Sequence, residues 1–462
     1  IPDPFDSIWK ERPALIFNTI LFLDKKYSGE ETTSKALRIR SALKEMNGGK
    51  EDFAYIISAC DETAWLCNIR GTDIEYNPVA QAYSLITDKS VHLFVNIDSL
   101  SREALNNLKA QKVEIHPYDS FTTLLKNLSN KTIIFSEEKM TIREYKILKD
   151  TGASFIHDTC IGGLVNMLKS IKNECEISGY RKAFLKDGIA WCKFLKYIDD
   201  SLKGGKELDE YSLGVKLIEF RKECEEYRGE SFEPIIAFGK GAALPHYSAT
   251  ANNSGKIGTD NFLLMDTGAH YWFGTTDTTR TIPIGTISET QKRHYTLVLK
   301  GMIDLACAKF PKNTRGSQLD ILARGPLFND ALMYFHGTGH GVGHYLCVHE
   351  GPQSIRMEEN PVTLSPGMIM SDEPAIYFEG EYGIRTENVI LVNNWRKNNM
   401  NEFYQFETMT LVPIATSCVI KELLTKEESE WIENYNNTLR TTLAPYLSPE
   451  ENEWLTNLSY LN

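Results

Sequence analysis

Hydrophobic and polar positions alternate between two kinds of segment in the first part of the chain. Short runs rich in β-branched and aromatic residues predict strands at residues 53–58 (FAYIIS), 90–97 (SVHLFVNI) and 132–135 (TIIF). Helical periodicity predicts helices at residues 33–45, 101–112 and 121–128. Strands that alternate with helices favour an α/β layer built on a parallel or mixed sheet.

The pattern changes near residues 165–172. Two long, charged amphipathic helices are predicted at residues 176–202 and 209–228, and a glycine-rich region of strands follows at residues 235–413. The residues from 421 onward are acidic and helical in pattern. We therefore predict an α/β domain at residues 1–168, a second domain at residues 169–415 and a helical extension at residues 416–462.

Composition and charge narrow the class of protein. The 462 residues are 42% hydrophobic and 24% charged, which is typical of a globular chain that buries its own core. The net charge of −12 comes with no evident basic face, so we expect no nucleic acid partner. No apolar run reaches the roughly 20 residues that a membrane span needs, so we expect no membrane association.

The cysteines bear on the cellular compartment. All nine lie far apart and form no CxxC or CxxH pair, so a thiolate zinc site is not expected. Reduced thiols favour a cytoplasmic protein. The chain begins at Ile1 rather than methionine, so we expect a processed or trimmed product. The cytoplasmic assignment therefore holds only if no targeting segment preceded Ile1.

Histidine is concentrated in one part of the chain. Seven of the ten histidines fall between residues 246 and 349, where even spacing would place about two. Histidine is the commonest metal ligand and acid–base residue near neutral pH, so this concentration indicates a site. The remaining three, His92, His116 and His157, lie outside that region, and we interpret them as structural.

The first motif with candidate chemistry spans residues 261–281 (NFLLMDTGAHYWFGTTDTTRT). Asp266 ends an apolar run, and Asp277 follows eleven residues later within a threonine-rich stretch typical of a strand. Two strands joined by a short turn would bring both carboxylates to one edge. The alternative is that each aspartate only caps a turn.

The second motif spans residues 336–352 (HGTGHGVGHYLCVHEGP). His336 and His340 are four residues apart, but the glycines between and after them argue against a helix and favour an extended loop. The sequence is neither the HExxH motif of zinc peptidases nor a nucleotide-binding GxGxxG turn.

The third motif spans residues 369–392 (IMSDEPAIYFEGEYGIRTENVILV). Glu373 and Glu387 are fourteen residues apart across a predicted hairpin, and Arg385 would point to the same side as Glu387 on a strand. The alternative is that both glutamates are edge-strand charges that face water.

Together the three motifs supply four carboxylates and at least one imidazole. Four anionic groups in one cleft repel each other unless cations lie between them. Two divalent metal ions resolve this repulsion, and oxygen-rich ligands with one imidazole suit manganese, cobalt or zinc. The residues alone therefore predict a dinuclear metallohydrolase.

The three motifs resemble those of the pita-bread metallopeptidases, which include aminopeptidase P, prolidase and methionine aminopeptidase. By this resemblance, five residues are the metal ligands, and the second and last of them bridge both ions: Asp266, Asp277, His340, Glu373 and Glu387.

Other strings are similar to aminopeptidase P in particular. They are LPHY around His246, HGTGHGVG, VHEGP, DEP and GIRTEN in the second half, with AWL, NIRG and DIEYNP in the first. The resemblance covers nearly the whole chain and is to the three-domain eukaryotic type without its first domain. It implies a creatinase-like α/β domain followed by a pita-bread catalytic domain.

The resemblance also implies an activity. The expected reaction is hydrolysis of the bond between a first residue and a proline in second position, by a metal-bridged hydroxide and most often with manganese. Glu373 is then the general base and His246 stabilises the oxyanion, while His336 and His349 hold the substrate and help to move a proton. Tyr377 and Arg385 are expected on the proline side or beside Glu387. A homodimer is typical of the family.

Two other functions remain open at this point. A prolidase, which cleaves Xaa-Pro dipeptides, uses the same five ligands. A pita-bread module that binds a partner without catalysis is an alternative from a different class, although such relatives usually lose metal ligands. His344 has no counterpart in the family pattern, and we expect it to be structural or to lie at the rim of the site.

Overall fold

The computed structural model describes residues 5–129, 131–245 and 247–458. The chain divides into two compact units, Ile1–Lys169 and Ser170–Asn462. The predicted three-part division at residues 168 and 415 stays a prediction. Among the described residues, no helix combines the length and the apolar character that crossing a bilayer requires.

The first unit is built on a mixed six-stranded sheet with the order β6-β5-β4-β2-β7-β8. Its strands are β1 (Leu21–Phe22), β2 (Phe53–Ile57), β3 (Ile69–Arg70), β4 (Tyr83–Thr87), β5 (Val91–Val95), β6 (Val113–Pro117), β7 (Thr132–Phe135) and β8 (Ser154–His157). Its helices are α1 (Phe5–Ile8), α2 (Lys25–Ser28), α3 (Thr32–Met46), α4 (Cys60–Cys67), α5 (Arg102–Ala110), α6 (Phe121–Leu125), α7 (Ile142–Asp150) and α8 (Leu164–Ser170), the last of which ends at the first residue of the second unit. The pairs β5–β6, β2–β7 and β7–β8 are parallel, whereas β4 is antiparallel to both neighbours, so the predicted mixed α/β layer is confirmed.

The second unit combines several antiparallel sheets with long helices. The helices are α9 (Glu174–Lys203), α10 (Glu210–Arg221), α11 (Glu289–Ala306), α12 (Gly316–Phe328), α13 (Lys426–Leu443) and α14 (Pro449–Leu458). The strands are β9 (Tyr227–Glu230), β10 (Ile235–Phe238), β11 (Asn261–Thr267), β12 (Ala269–Tyr271), β13 (Gly274–Thr275), β14 (Thr278–Ile284), β15 (Lys309–Pro311), β16 (Gly339–Gly341), β17 (Glu350–Ile355), β18 (Ile369–Asp372), β19 (Ala375–Phe378), β20 (Tyr382–Arg385), β21 (Asn388–Lys397) and β22 (Glu402–Thr408). In the described ranges, short 3-10 helices lie at Ile97–Ser99 and Tyr118–Ser120 in the first unit and at Gly239–Ala243, Thr416–Cys418, Lys421–Leu423 and Ala444–Tyr446 in the second.

The predicted helix at residues 209–228 is too long. The structure ends α10 at Arg221 and begins strand β9 at Tyr227. The fully buried Arg221 side chain explains why the helix ends there, since it bonds Asp187 of α9, Glu230 of β9 and the Gly268 carbonyl oxygen. These contacts turn the chain into the sheet β13-β12-β9.

The buried strand β11 explains the apolar run of the first motif. Phe262 packs into a core with helices α11 and α13, whereas Leu263 and Met265 pack against α9 and α10. A strand that is covered on both faces carries apolar residues at consecutive positions instead of alternate ones. The run therefore fixes the strand whose end carries Asp266.

A carboxylate pair in the core of the second unit should make stability depend on pH. Burial raises the pKa of Asp304 on α11 to about 6, and the Glu428 carboxylate beside it on α13 adds to the shift. Lys300 donates to both oxygens of Glu428 at 2.6 and 2.7 Å. Because the folded pKa is higher than the unfolded value, the contribution of Asp304 to stability is present below about pH 4 and is lost as pH rises through about 6.

Replacing Asp304 with asparagine should therefore raise the free energy of unfolding at pH 8 relative to the parent protein, by about 1 kcal/mol because solvent screens this half-buried group. The difference between urea unfolding midpoints at pH 4.5, 6 and 8 measures this effect. Asp330→Asn is the matched control, because Arg293 lowers the pKa of Asp330 and its removal should bring no gain at high pH. A gain for Asp304→Asn that is the same at all three pH values would contradict the assignment.

Candidate active site

Two pairs of strands bring the four predicted carboxylates together. Strands β11 and β14 are antiparallel, with Asp266 opposite Thr279, and Asp277 directly precedes β14. Strands β18 and β21 are antiparallel, with Asp372 opposite Asn388, so Glu373 and Glu387 adjoin the same end of this pair. The backbone N–H of Glu387 donates to the Thr279 carbonyl oxygen at 3.1 Å, which joins the two strand pairs at the site.

The connections between these residues differ in one respect from the prediction. Glu373 and Glu387 flank the hairpin β19–β20, as predicted. Asp266 and Asp277, however, are not separated by a simple turn, because the small hairpin β12–β13 lies between them. Gly268 allows this path: a Cβ atom there would lie 2.1 Å from the Thr276 carbonyl oxygen and 2.2 Å from the Ser231 hydroxyl.

His340 is the imidazole of the cluster and lies on the short strand β16. This agrees with the prediction that the glycines around it exclude a helix. Its Nε2 atom is 3.5 Å from Asp277 Oδ2 and 3.5 Å from Glu373 Oε1. Its Nδ1 atom is 2.9 Å from the Gly341 carbonyl oxygen. When Nδ1 carries the proton it donates to this oxygen, and Nε2 is then free to bind an ion. Gly339 lets this strand approach β18, since a Cβ atom there would lie 2.0 Å from the Ser371 carbonyl oxygen.

The electrostatics of the cluster favour bound cations. Burial raises the pKa of Glu373 to about 7 and raises the pKa of Glu387 well above its ordinary value, and neighbouring carboxylates add to the second shift. Burial also opposes protonation of His340, but the hydrogen bond to Asp277 and the charge of Glu373 raise the pKa of this imidazole to about 9. Without cations the cluster therefore retains protons that divalent ions would displace.

The donor set fits two divalent ions. Ligand atoms of Asp277, His340 and Glu387 lie within 4.8 Å of one another. Asp266 Oδ1 is buried and has no hydrogen-bond partner among the residues that the structure describes, although Arg385 holds Oδ2 of the same carboxylate. A buried carboxylate oxygen without a partner is costly unless a cation binds it.

Several neighbouring hydroxyl groups orient the ligands. Thr279 Oγ1 donates to Glu387 Oε2 at 2.7 Å, and Ser371 Oγ donates to Glu373 Oε1 at 3.1 Å. Sequence reasoning missed both residues, as it missed the buried Arg280, which donates to the carbonyl oxygens of Thr279 and Glu387. The only signal for Thr279 and Arg280 in the sequence is their position in the threonine-rich stretch after Asp277.

Three of the predicted substrate-binding residues, His336, Tyr377 and Arg385, form a chain of hydrogen bonds that ends at the cluster. The Tyr377 hydroxyl lies 3.0 Å from His336 Nε2 and accepts from Arg385 Nη1 at 2.5 Å, and Arg385 also donates to Asp266. His336 Nδ1 is 2.8 Å from the Gly337 carbonyl oxygen, so the consistent tautomer is protonated at Nδ1 and accepts at Nε2. Arg324 fixes this loop by donating to the His336 carbonyl oxygen at 2.8 Å.

The structure places the remaining histidines as follows. His349 is exposed and lies beside His340, with ring centroids 4.4 Å apart and nearly perpendicular planes. His344 is buried and lies 5.6 Å from the Tyr180 ring and 3.9 Å from Glu176. His246 lies outside the described residues, so its predicted role stays a prediction.

A buried cluster of four carboxylates and one imidazole at the ends of paired strands defines a metallohydrolase. Residues 178–394 match metallopeptidase family M24, residues 11–176 match the creatinase/prolidase N-terminal domain, and residues 402–458 match the C-terminal region of this peptidase family.

Similar proteins define the group within this family. The chain is 36% identical over 469 residues to a probable Xaa-Pro aminopeptidase P of Coprinopsis cinerea, covering 97% of this chain and 75% of that protein. The corresponding protein of Pyricularia oryzae is 37% identical, with 94% and 72% covered. The chain belongs to metallopeptidase family M24 and, within it, to the Xaa-Pro aminopeptidase P group, which confirms the predicted family and fold.

Solved structures agree with this assignment. The X-prolyl aminopeptidase of Caenorhabditis elegans, described as a cytosolic enzyme with a dinuclear active site, superposes with a TM-score of 0.93 at 34% identity, covering 100% of this chain and 76% of that one. An Xaa-Pro dipeptidase of Bacillus anthracis gives a TM-score of 0.65 at 25% identity, with 83% and 99% covered.

Proposed function

We propose that this chain is a metal-dependent aminopeptidase that hydrolyses the bond between the first residue of a peptide and a proline in second position. The observation that carries the proposal is the buried cluster around His340, in a chain whose relatives at 36–37% identity are named Xaa-Pro aminopeptidase P.

We assign Asp266, Asp277, His340, Glu373 and Glu387 as the residues that hold two divalent ions. When bound, the ions supply a nucleophilic hydroxide near neutral pH and stabilise the negative charge that develops on the substrate oxygen. The buried positions of Asp266, Asp277 and Glu387 support this assignment, as does Asp266 Oδ1, which lacks a hydrogen-bond partner in the described part of the chain.

The residues around the ions would position the peptide and move protons. Glu373 is the proposed general base, because Ser371 holds one of its oxygens at the end of β18. The amide before proline has no N–H, so a side chain must recognise the proline and another must protonate its nitrogen as the bond breaks. His336 and His349 are proposed for these roles, with Tyr377 and Arg385 holding His336 in position. His246 is proposed to stabilise the oxyanion on the family resemblance alone.

Peptide turnover by metal-loaded protein tests the proposal. We expect release of the first residue from Arg-Pro-Pro and no cleavage of an Arg-Ala-Ala control. The dipeptide Arg-Pro distinguishes an aminopeptidase from a prolidase: efficient cleavage of the dipeptide with poor cleavage of the tripeptide would favour the prolidase. Protein that binds two ions per chain but cleaves none of these peptides would contradict the proposal.

Removing the Tyr377 hydroxyl should weaken catalysis without unfolding the protein. Tyr377→Phe breaks the link between His336 and Arg385, and a hydrogen bond to a charged group is worth about 1.5–3 kcal/mol, so kcat/KM should fall by about 10–100-fold. Tyr382→Phe is the control in the same hairpin, because its hydroxyl bonds His294 instead, at 2.9 Å. Equal effects of the two substitutions would contradict a role for Tyr377 in the site.

Three finer assignments complete the proposal. Manganese is proposed as the resident metal because the ligands are mainly carboxylate oxygens, and metal analysis of protein purified without added metal tests it. A homodimer is proposed from the family resemblance, and sedimentation equilibrium tests it. A cytoplasmic location is proposed because the C. elegans enzyme is described as cytosolic, and cell fractionation tests it.

A further inference from the structure

A second cluster of potential metal ligands lies in the first unit, on the sheet edge formed by β5 and β6. His92 of β5 pairs with Glu114 of β6 in a parallel register, and Phe94 pairs with His116. Because side chains two residues apart share a face of a strand, Glu114 and His116 point to the same side, and the short contacts with His92 show that His92 shares it. Ligand atoms of His92, Glu114 and His116 all lie within 4.8 Å of one another.

The distances suit a small divalent ion. His92 Nδ1 is 3.0 Å from His116 Nε2 and 3.3 Å from Glu114 Oε2. Nitrogen and oxygen ligands bound to zinc at about 2.0–2.1 Å with tetrahedral angles lie about 3.3–3.4 Å apart, so the ion needs only a small adjustment of these side chains. Two imidazoles and one carboxylate are a ligand set that zinc uses, with water in the remaining position.

Neighbouring residues already orient the three side chains. The Ser90 hydroxyl donates to Glu114 Oε1 at 2.5 Å, so Oε2 is the oxygen that faces His92. The His116 ring stacks on the buried Phe94 ring with centroids 4.9 Å apart and planes 21° apart. Contacts such as these, made to a ligand by a residue that does not itself bind the ion, fix the orientation of metal ligands.

The surroundings leave access for an ion and for water. The His92 side chain is 13% exposed, whereas the Glu114 side chain is 51% exposed, so the cluster opens to solvent on the Glu114 side. Arg40 is a cation that acts on His92 and therefore opposes a bound ion, and the Asp88 carboxylate, which also pairs with Lys131 at 2.6 Å, counters this charge only in part.

We propose that His92, Glu114 and His116 form an additional zinc site in the first unit, separate from the ions of the peptidase centre. The site holds the ion through one nitrogen of each imidazole and one carboxylate oxygen, and water completes the coordination. The sequence interpretation of His92 and His116 as merely structural is replaced by this role.

The number of zinc ions bound per 462-residue chain tests the proposal. Parent protein and each variant are equilibrated with the same excess of zinc, freed of unbound metal by gel filtration, and analysed for metal. We expect His116→Gln to hold one zinc per chain fewer than the parent protein. His157→Gln is the matched control, because His157 pairs with Glu137 at 2.9 Å but belongs to no group of three potential metal ligands among the described residues. Its zinc content should equal that of the parent.

Affinity gives a second measure. Loss of a hydrogen bond that orients a metal ligand lowers metal affinity by about 10–100-fold, so Ser90→Ala should weaken zinc binding at this site within that range. Glu114→Gln removes a ligand itself and should weaken zinc binding by at least as much. The half-exposed Glu114 provides a variant that should fold if His116→Gln does not. Equal zinc content in the parent, His116→Gln and Glu114→Gln proteins would overturn the proposal. Peptidase activity is not the readout, so the result is independent of the proposed function.

Discussion

Glu387→Gln is expected to lower peptide turnover by at least about 10³-fold, which corresponds to about 4 kcal/mol of transition-state stabilisation. Glu387 would be one of the residues that hold the two ions, and an amide is a weaker ligand for them than a carboxylate. Metal content after gel filtration should fall with activity. The matched control is Glu379→Gln, at an exposed position in the turn between β19 and β20, which should leave both quantities unchanged.

Glu387→Gln should also change the thermal stability of the protein, and the sign of this change should depend on whether metal is bound. Glu387 is 2% exposed and lies among other carboxylates, so in chelator at pH 8 its charge is unfavourable to the folded state. Glu387→Gln should therefore unfold at a higher temperature than the parent protein in chelator and at a lower temperature with metal bound. A variant that retains more than a tenth of the turnover, or is destabilised in both conditions, would contradict the assignment of Glu387 as a ligand.

Arg280→Met is expected to lower the free energy of unfolding by about 3–5 kcal/mol. The Arg280 side chain is fully buried behind the site and donates to the Pro413 carbonyl oxygen and to five further groups. These are the carbonyl oxygens of Thr279, Glu387 and Val412, the side-chain oxygen of Asn388 and the Tyr435 hydroxyl. Methionine fills much of the volume but leaves these acceptors without a donor, at about 1–3 kcal/mol for each group that stays buried.

Two further variants define the contribution of Arg280. Arg280→Lys keeps the charge but has three donors in place of five, so its stability should lie between those of the parent and Arg280→Met. Arg181→Met is the surface control, because Arg181 is half exposed and pairs with Glu407, and exposed ion pairs contribute about 0–1 kcal/mol. Urea unfolding of metal-loaded protein measures all three. A loss below about 1 kcal/mol for Arg280→Met would show that water or other donors replace the guanidinium.

Each of the six elements predicted in the first unit is present with errors at its ends, but other elements of this unit, among them strands β4, β6 and β8 and helices α4 and α7, were not predicted. Residues 53–58 and 132–135 match strands Phe53–Ile57 and Thr132–Phe135, and residues 33–45 match helix Thr32–Met46. Local periodicity decides such elements, because burial of one face or stripe repeats every two or every 3.6 residues. The helix predicted at 209–228 was too long because its true end depends on Arg221, which bonds Asp187 of α9, Glu230 of β9 and the Gly268 carbonyl oxygen between β11 and β12.

The sequence by itself determined the family, the mixed α/β fold of the first unit and which carboxylates and histidine are candidate ligands. It could do so because Asp266, Asp277, His340, Glu373 and Glu387 lie in motifs whose order and spacing can be read along the chain.

Only the tertiary structure decided which groups form hydrogen bonds to the candidate ligands and which residues far apart in sequence are in contact. Arg280 contacts groups up to 155 positions away, and Arg385 reaches back 119 positions to Asp266. His92 and His116 are 24 residues apart and become neighbours only because β5 pairs with β6 in one particular register. The physical reason is that strand pairing and side-chain hydrogen bonds depend on position in space, and no local pattern specifies the partner.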